Sequence, residues 1–435
     1  MGQAPEKTIA LETVGCRLNQ YETEKMAAAL MRYGFRRVEP DETADLYVIN
    51  TCTVTHRADS DCRQIIRKAG RKNPEARVVV TGCYVDVDPE RVKGMEGVDA
   101  VLRNADKDRI AEILPDLWPE LFSSGVNACG PATITDFFGH NRAWLKVSDG
   151  CNQACSYCIV PSVRGRLKNR AVAEVIDDVN NFVVQGYNEV VLTGVNLGHY
   201  SSRSSEPQVR NLAELCERIL AETGVRRIRL SSIEPQTIRE ELLAVYASSQ
   251  GRICRHFHVP LQSGSSRILK LMRRPYDPET YLRRVQQVKD VLPNTVVGAD
   301  VLVGFPGETD EDFRQTVDVV TSGLIDYLHV FSYSERPGTT AAAMGAPVGH
   351  EVVKQRNQHL TRTSDELLAR ALQRQIGETL DVIAEHKRSA DESFWAVADN
   401  YLKVKLPAWV NGGKDLVRVR ITEAHEDFVQ GDVLT

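Results

Sequence analysis

The sequence has no excess of positive charge: 54 lysines and arginines stand against 59 aspartates and glutamates, for a net charge of −5. A globally basic nucleic-acid binder is therefore excluded, although local basic patches are not. No apolar run approaches the ~18 residues that span a membrane, so no membrane partner is expected. The opening MGQAPEKT lacks the charged-then-apolar layout of a signal peptide. The expected location is the reducing cytoplasm. Short-period repeats and low-complexity tracts are missing too. The glycine-rich segment LVGFPGE (302–308) lacks the pattern and the lysine of a Walker phosphate loop.

What is present is a folded-protein composition. The chain has 435 residues, 42% hydrophobic and 26% charged, which excludes a mainly disordered or fibrous protein. At roughly 150 residues per domain, about three domains are expected. Ten cysteines in a reducing compartment point to metal or redox chemistry rather than to disulfides.

Three parts are distinguishable. Residues 1–122 alternate β-branched runs (8–14, 45–51, 77–82, 98–102) with amphipathic segments (about 19–33, 55–73, 104–121). That alternation predicts a doubly wound parallel sheet. Asn19 is a candidate N-cap and Gly34 a stop for the first helix. Residues 123–141 lose periodicity and read as a linker. Residues 142–375 repeat the alternation, with strands expected at 143–148, 189–193, 226–231, 255–260, 295–303 and 326–332. Valines and a phenylalanine at helical spacing predict a helix over 171–185, stopped by Gly186. Six β/α units imply an incomplete (β/α)6 barrel with an open side, and 201–207 reads as a surface insertion. Residues 376–435 carry strand-like segments at 379–385, 394–405 and 416–422, with a turn at Asn411-Gly412-Gly413. They predict a small β-barrel.

Cys151, Cys155 and Cys158 form C-x3-C-x2-C directly after the strand AWLKVSDG. Three such thiolates can hold three irons of a [4Fe–4S] cluster and leave the fourth open to a substrate or cofactor. A zinc site is the alternative, but it normally closes with four ligands, and no further cysteine or histidine follows locally. Cys16, Cys52 and Cys83 each follow a strand of the first expected sheet. The carboxyl edge of a parallel sheet is where ligand sites gather, so these three can hold a second open cluster; three unrelated buried thiols are the alternative. Cys62 and Cys216 fall on apolar helix faces and read as core, as does Cys254. Cys129 lies in the linker.

C-x3-C-x2-C at the head of a β/α barrel resembles the radical S-adenosylmethionine superfamily. Further segments are similar to its methylthiotransferases: VGCRLNQYETE (14–24), INTCTVT (49–55), DGCNQACSYCIVPSVRGR (149–166), LTGVNLG (192–198), LSSIEP (230–235), HVPLQSG (258–264), DVLVGFPGETDEDF (300–313) and VFSYSERPGT (330–339). The resemblance covers nearly the whole chain. It implies an N-terminal three-cysteine domain, a radical barrel and a C-terminal TRAM domain. Three segments, VGCRLNQYETE, LSSIEP and LHVFSYSERPGT, look most like the branch acting on N6-threonylcarbamoyladenosine in tRNA.

The resemblance implies two [4Fe–4S] clusters and two uses of S-adenosylmethionine. One molecule methylates a sulfur at the Cys16/Cys52/Cys83 cluster. Another is cleaved at the Cys151/Cys155/Cys158 cluster to a radical that takes the hydrogen from adenine carbon-2 of position 37. The two open irons must then face one cavity, with the linker letting the first domain dock over the barrel mouth. An unreactive C–H bond makes a radical a sensible tool. Tyr157 is expected by the adenine of the cofactor. Gly194, Glu234, Gln262 and Gly304 are softer candidates for cofactor contact, each with a plain structural reading beside it. A flavodoxin- or ferredoxin-like electron donor and a sulfur source are implied partners.

A tRNA substrate needs clustered basic residues. Arg164, Arg166, Lys168 and Arg170 form the leading candidate run. Arg63, Arg67, Lys68, Arg71 and Lys72 form a second group, and Arg267, Lys270, Arg273 and Arg274 a third. Residues 376–435 depart from the pattern of an RNA-binding module, with 7 Lys/Arg against 11 Asp/Glu; only a local strip (Lys387, Arg388, Lys403, Lys405) remains. Two rivals stand beside this reading. One is the same chemistry on isopentenyladenosine in tRNA or on a ribosomal-protein aspartate. The other is a non-catalytic iron–sulfur or zinc RNA-binding protein.

Overall fold

The computed structural model describes residues 7–122, 132–203, 208–388, 393–410 and 412–434. Cys129, the first part of the expected linker, the tip of the 201–207 insertion and Asn411 of the expected turn lie outside the described residues. The chain divides into two compact units. One comprises Met1–Phe138 with Ile159–Arg166, and the other Gly139–Cys158 with Leu167–Thr435.

The first unit is built on β1 (Thr8–Thr13), β2 (Arg36–Val38), β3 (Leu46–Thr51), β4 (Arg77–Gly82) and β5 (Ala100–Leu102). All pair in parallel, in the order β2-β1-β3-β4-β5. Every residue of β3 is buried, as a central strand covered on both faces must be. One apolar layer lies around Ile9, Leu30, Val48 and Val79, and the other around Ile49, Ile66, Val78 and Val80. β2 escapes the sequence reading because it is three residues long and two of them are arginines. Asn19 is not the cap of the first helix. That helix runs Arg17–Met31 behind Cys16, and Asn19 is buried inside it. The segment expected as one helix over 104–121 is broken into Asn104–Arg109, Ile110–Leu117 and Pro119–Phe122.

The second unit holds two barrels. Six parallel strands form the larger: β6 (Ala143–Asp149), β8 (Glu189–Gly194), β9 (Arg227–Leu230), β10 (His256–His258), β11 (Val296–Val303) and β12 (Tyr327–Ser332). β7 (Lys168–Asn169) adds antiparallel to the outer edge of β6. A single bridge, Ile228 to Ile253, carries the pairing from β9 toward β10. Among the described residues no ladder joins β12 back to β6 or β7, so the barrel stays open there. The helix Val172–Val184 buries Val172, Val175, Ile176, Val179 and Phe182, as its spacing requires. In the insertion, Ser202 and Val209 pair antiparallel on either side of the loop.

The smaller barrel is closed by β13 (Thr379–Arg388), β14 (Phe394–Ala398), β15 (Lys403–Leu406), β16 (Leu416–Ala424) and β17 (Val429–Leu434), in the order β13-β14-β15-β17-β16. The segment 394–405 is two strands, not one. The chain reverses at Asp399–Leu402, where Tyr401 takes a left-handed φ of 72°. This barrel sits at the amino ends of the larger barrel's strands. Glu189, the first residue of β8, is fully buried and ion-paired to Arg227 (2.5 Å) and Arg229 (2.8 Å) of β9. The two guanidinia donate onward to the carbonyls of Asp381, Val397, Ala398 and Asp399.

Candidate iron–sulfur centres

β1, β3 and β4 are neighbours, so their carboxyl ends lie side by side, and Cys16, Cys52 and Cys83 stand just beyond those ends. Two glycines make room for them. Gly15 has φ +104°, and a Cβ there would lie 2.6 Å from Cys52 Cβ and 2.9 Å from its sulfur. Gly82 has φ +106°, and its Cβ would lie 2.3 Å from the Thr51 carbonyl oxygen. Only glycine accepts such a backbone against such a neighbour. Asn19 Nδ2 donates to the carbonyls of Val14 (2.8 Å) and Thr51 (3.0 Å), tying together the loops that carry Cys16 and Cys52. Asn104 Nδ2 lies 3.7 Å from Cys83 Sγ.

Burial, with the nearby charges of Cys16 and Cys83, pushes the Cys52 thiol up to about 11, while the Val54 N–H and the Arg164 guanidinium oppose it. A buried thiol beside two others is a poor arrangement without a metal and a suitable one with it, because coordination takes the thiolate form. The residues present fit a cluster. Substituting Gly15 with alanine is expected to cost more than about 1 kcal/mol and to displace Cys52. Iron per chain and the thermal midpoint measure both effects; full iron loading with an unchanged midpoint would show that Gly15 does not seat Cys52.

In the second unit, Cys151, Cys155 and Cys158 occupy the loop after β6. The loop is clamped through Ser156. Its N–H donates to the Met272 carbonyl (3.1 Å), its hydroxyl to the Leu271 carbonyl (2.7 Å), and its carbonyl accepts from Ala341 N–H (2.7 Å). N–H donors converge on the sulfurs. Gln153 N lies 3.3 Å and Asn196 Nδ2 3.6 Å from Cys151 Sγ, and Arg274 Nη1 lies 3.2 Å from Cys155 Sγ. Burial raises the Cys155 thiol, and the Arg274 guanidinium offsets part of that rise. Donors and a cation aimed at sulfur favour thiolate, so these residues also fit a cluster.

The softer candidates fall into distinct settings. Glu234 is ion-paired to Arg274, whose side chain is only 3% exposed; burial raises the Glu234 carboxyl and Arg274 opposes the rise. Tyr157 packs edge-on to Phe305 at 6.5 Å, against a small apolar cluster with Ile268 and Met272. Gly194 ends β8, and a Cβ there would lie 2.1 Å from Ser148 Oγ, so packing against β6 already demands glycine. Gln262 holds φ 66°, an uncommon backbone for a non-glycine residue that costs about 1–3 kcal/mol and collects at functional sites. Its N–H donates to the Asp300 carbonyl and its own carbonyl accepts from Leu302 N–H. Gly304 has φ +77°, and its Cβ would meet Val353 Cγ2 at 2.5 Å.

The expected RNA-contact run does not behave as one strip. Arg164 is only 4% exposed and pairs with Glu22 at 3.0 Å, which also takes Lys107 at 2.6 Å. A buried, paired guanidinium is out of reach of a phosphate backbone, so Arg164 serves its own unit's interior. Arg170 is tied to Asp178 (2.8 Å) and Glu174 (3.3 Å). Arg166 and Lys168 are exposed. In the third basic group Arg274 is buried and Arg267 pairs with Asp312. In the second group Arg67, Lys68 and Arg71 project from the exposed face of the helix His56–Lys72. Lys403 lies 3.7 Å over the Trp395 ring; the side chains of Lys387 and Arg388 lie outside the described residues. The sequence reading missed Arg274 as a partner of Cys155, since 119 residues separate them. It also missed the cluster His258, Asp300 and His329 on β10, β11 and β12.

Residues 145–320 match the Radical SAM superfamily, and residues 8–103 match the family described as Uncharacterized protein family UPF0004. The chain is 37% identical to the threonylcarbamoyladenosine tRNA methylthiotransferase MtaB of Bacillus subtilis (strain 168), over 98% of this chain and 96% of that one. The chain belongs to the radical S-adenosylmethionine methylthiotransferases, in their MtaB branch. The MtaB protein of Aquifex aeolicus (strain VF5) is 34% identical, over 95% and 100% of the two chains. A tRNA-2-methylthio-N(6)-dimethylallyladenosine synthase from Thermodesulfovibrio yellowstonii is 29% identical over 99% of each. The fold is similar to that of the radical S-adenosylmethionine methyltransferase TsrM from Kitasatospora setae, with a TM-score of 0.57, 16% identity and coverage of 78% and 77%. As a radical methylthiotransferase, the protein uses S-adenosylmethionine and two [4Fe–4S] clusters.

Proposed function

We propose that this methylthiotransferase places a methylthio group on carbon-2 of N6-threonylcarbamoyladenosine at position 37 of tRNA. The observation that carries this reading is the pair of three-cysteine sets, one beyond the carboxyl ends of three parallel strands and one in the loop after β6, in a chain similar to MtaB proteins over nearly its whole length. In this reading Cys16, Cys52 and Cys83 ligate one cluster, and Cys151, Cys155 and Cys158 the other. Bound there, the clusters and S-adenosylmethionine supply the radical chemistry that an unreactive C–H bond needs.

The chain's own residues prepare the sites. Asn19 and the two glycines set the spacing of the first three sulfurs. Arg274 offsets the negative charge of a thiolate-ligated centre at Cys155, and Glu234 holds Arg274 in place. Tyr157 and the strained Gln262 border the same side of the larger barrel and are assigned to cofactor contact, whereas Gly194 and Gly304 are glycine for close packing against Ser148 and Val353. Residues 1–122, 142–375 and 376–435 act as the cluster-bearing, radical and TRAM-like parts. The tRNA is met by exposed cations such as Arg166, Lys168 and the helix face of Arg67, Lys68 and Arg71. A flavodoxin- or ferredoxin-like donor supplies electrons, a separate source supplies sulfur, and the reaction takes place in the cytoplasm.

The test is mass spectrometry of nucleosides from tRNA of cells lacking the gene, with and without its restoration. The 2-methylthio derivative of N6-threonylcarbamoyladenosine should disappear and return. Loss of a methylthio-isopentenyladenosine instead would move the protein to the sister branch.

A further inference from the structure

The inner face of β10, β11 and β12 carries a polar cluster that the reading above does not use. In register, His258 aligns with Gly298 and Tyr327, and Asp300 with His329. These side chains therefore share one face of the sheet. The opposite face is Phe257, Val297, Ala299, Val301 and Leu328, all buried, as the helix-covered outside of a barrel must be. His258 Nε2 lies 2.8 Å from Asp300 Oδ1, and His329 Nδ1 lies 3.5 Å from the same oxygen. The two imidazole rings are 4.9 Å apart. His329 is half exposed, at 51% of its side chain, and its Nε2 has no partner among the described residues. The cluster stands close to the radical centre. Asp300 acts electrostatically on Glu234, Glu234 pairs with Arg274, and Arg274 reaches Cys155.

Two ligand chemistries suit two imidazoles and a carboxylate: a divalent cation, or a group that takes hydrogen bonds from imidazole. The geometry separates them. A metal needs the lone pair of His258 Nε2, but at 2.8 Å from a carboxylate oxygen that nitrogen carries a proton and donates it. Asp300 thus fixes the rings as hydrogen-bond donors, in the way a carboxylate orients a histidine. On the proposed function, the substrate differs from plain adenosine by a substituent that ends in a carboxylate.

We propose that His329, held by Asp300 and flanked by His258, binds the carboxylate of the threonylcarbamoyl group and so selects the modified nucleoside. In this binding mode the ring donates from both nitrogens, Nδ1 to Asp300 and Nε2 to the substrate carboxylate. Asp300 keeps the ring aimed, and the half-exposed edge of His329 leaves the approach open. This inference rests on the proposed function and names the group by which that substrate is recognised.

The experiment compares wild type with His329→Gln and His329→Phe, all cluster-loaded and with S-adenosylmethionine but no reductant. The probes are anticodon stem-loop RNAs bearing the threonylcarbamoyl acid, its carboxamide, or unmodified adenosine. Binding is read by fluorescence anisotropy. Wild type should prefer acid over amide by about tenfold or more, as a charge-assisted hydrogen bond provides. Both variants should reduce that ratio to about twofold or less, with melting midpoints close to wild type because the side chain is half exposed. Variants that keep the full acid preference overturn the inference. So does a stoichiometric zinc or manganese ion whose removal by chelator abolishes the acid preference, which would make the cluster a cation site. Failure of the functional reading is separately visible: wild type then binds unmodified RNA as tightly as the acid form and, once reduced, gives no methylthio product.

Discussion

Cys155→Ala gives a protein that no longer cleaves S-adenosylmethionine when reduced and that carries about half the iron of the parent chain. The reason is local: three sulfurs on one loop have no spare among them to replace a lost ligand. Cys155 is also the sulfur that Arg274 approaches at 3.2 Å, so its loss leaves a buried guanidinium facing a gap. Cys52→Ala should lose a similar share of iron from the other unit. It should keep measurable cofactor cleavage and make no methylthio product. Cys216→Ala, at a fully buried helix position that belongs to neither set, should keep the iron of both. Iron analysis, 5′-deoxyadenosine and the nucleoside product are read on the same samples. Cleavage retained by Cys155→Ala would sink the assignment of the radical centre, and a normal product from Cys52→Ala would reject the second cluster.

The two cysteine sets were legible in the sequence for different reasons. C-x3-C-x2-C is a local pattern, readable without any fold. Cys16, Cys52 and Cys83 have no spacing of their own. Strand ends at one edge of an expected parallel sheet suggested them, with unrelated buried thiols as the alternative, and the resemblance to methylthiotransferases singled them out. What supports those sulfurs was hidden. Gly15 and Gly82 carry no pattern in the sequence; the left-handed backbone and the neighbouring Cys52 and Thr51 show what they do. Arg164 and Arg274 sat in basic runs that read as candidate RNA contacts. Each proved to be buried against a carboxylate far away in the chain, Glu22 and Glu234 respectively. Charge clustering in sequence cannot tell an exposed cation from one paired across the fold. The same limit hid the His258–Asp300–His329 face, whose members are each unremarkable strand residues until three strands come into register. Short elements failed for a simpler reason: Arg36–Val38 is too brief and too charged to show alternation, and the turn at Asn400-Tyr401 interrupts a run whose flanks both favour strand.

Glu189→Ala should be the most destabilising single change in the second unit. Glu189 has no exposed surface, and it holds Arg227 and Arg229, themselves almost wholly buried. Burial alone would raise its carboxyl, but Arg227, Arg229 and Arg142 outweigh that effect and hold it well below the usual carboxylate range. Removing one partner from such a group leaves buried cations uncompensated, at a cost of about 3–5 kcal/mol. The guanidinia also donate to four carbonyls of the small barrel, so the loss should loosen that barrel from the floor of the larger one. The expected reading is a lower first unfolding transition and earlier proteolysis after Gln375, with the first unit's iron retained. Glu189→Gln should recover little, because it restores an acceptor and not a charge. Glu189→Leu combined with Arg227→Met and Arg229→Met should recover part of the stability: apolar replacement of buried ions is often close to neutral, but the four carbonyls lose their donors and Arg142 keeps Glu385 alone as its ion partner. The pH dependence has a definite sign. A carboxyl titrating below its unfolded value contributes fully above the usual carboxylate range, and that contribution is lost only as pH falls through its own lower value. The gap between wild type and Glu189→Ala should therefore be widest near neutrality and narrow in acid. A Glu189→Ala protein that melts with wild type at neutral pH would mean that the two barrels are held by their apolar contacts alone.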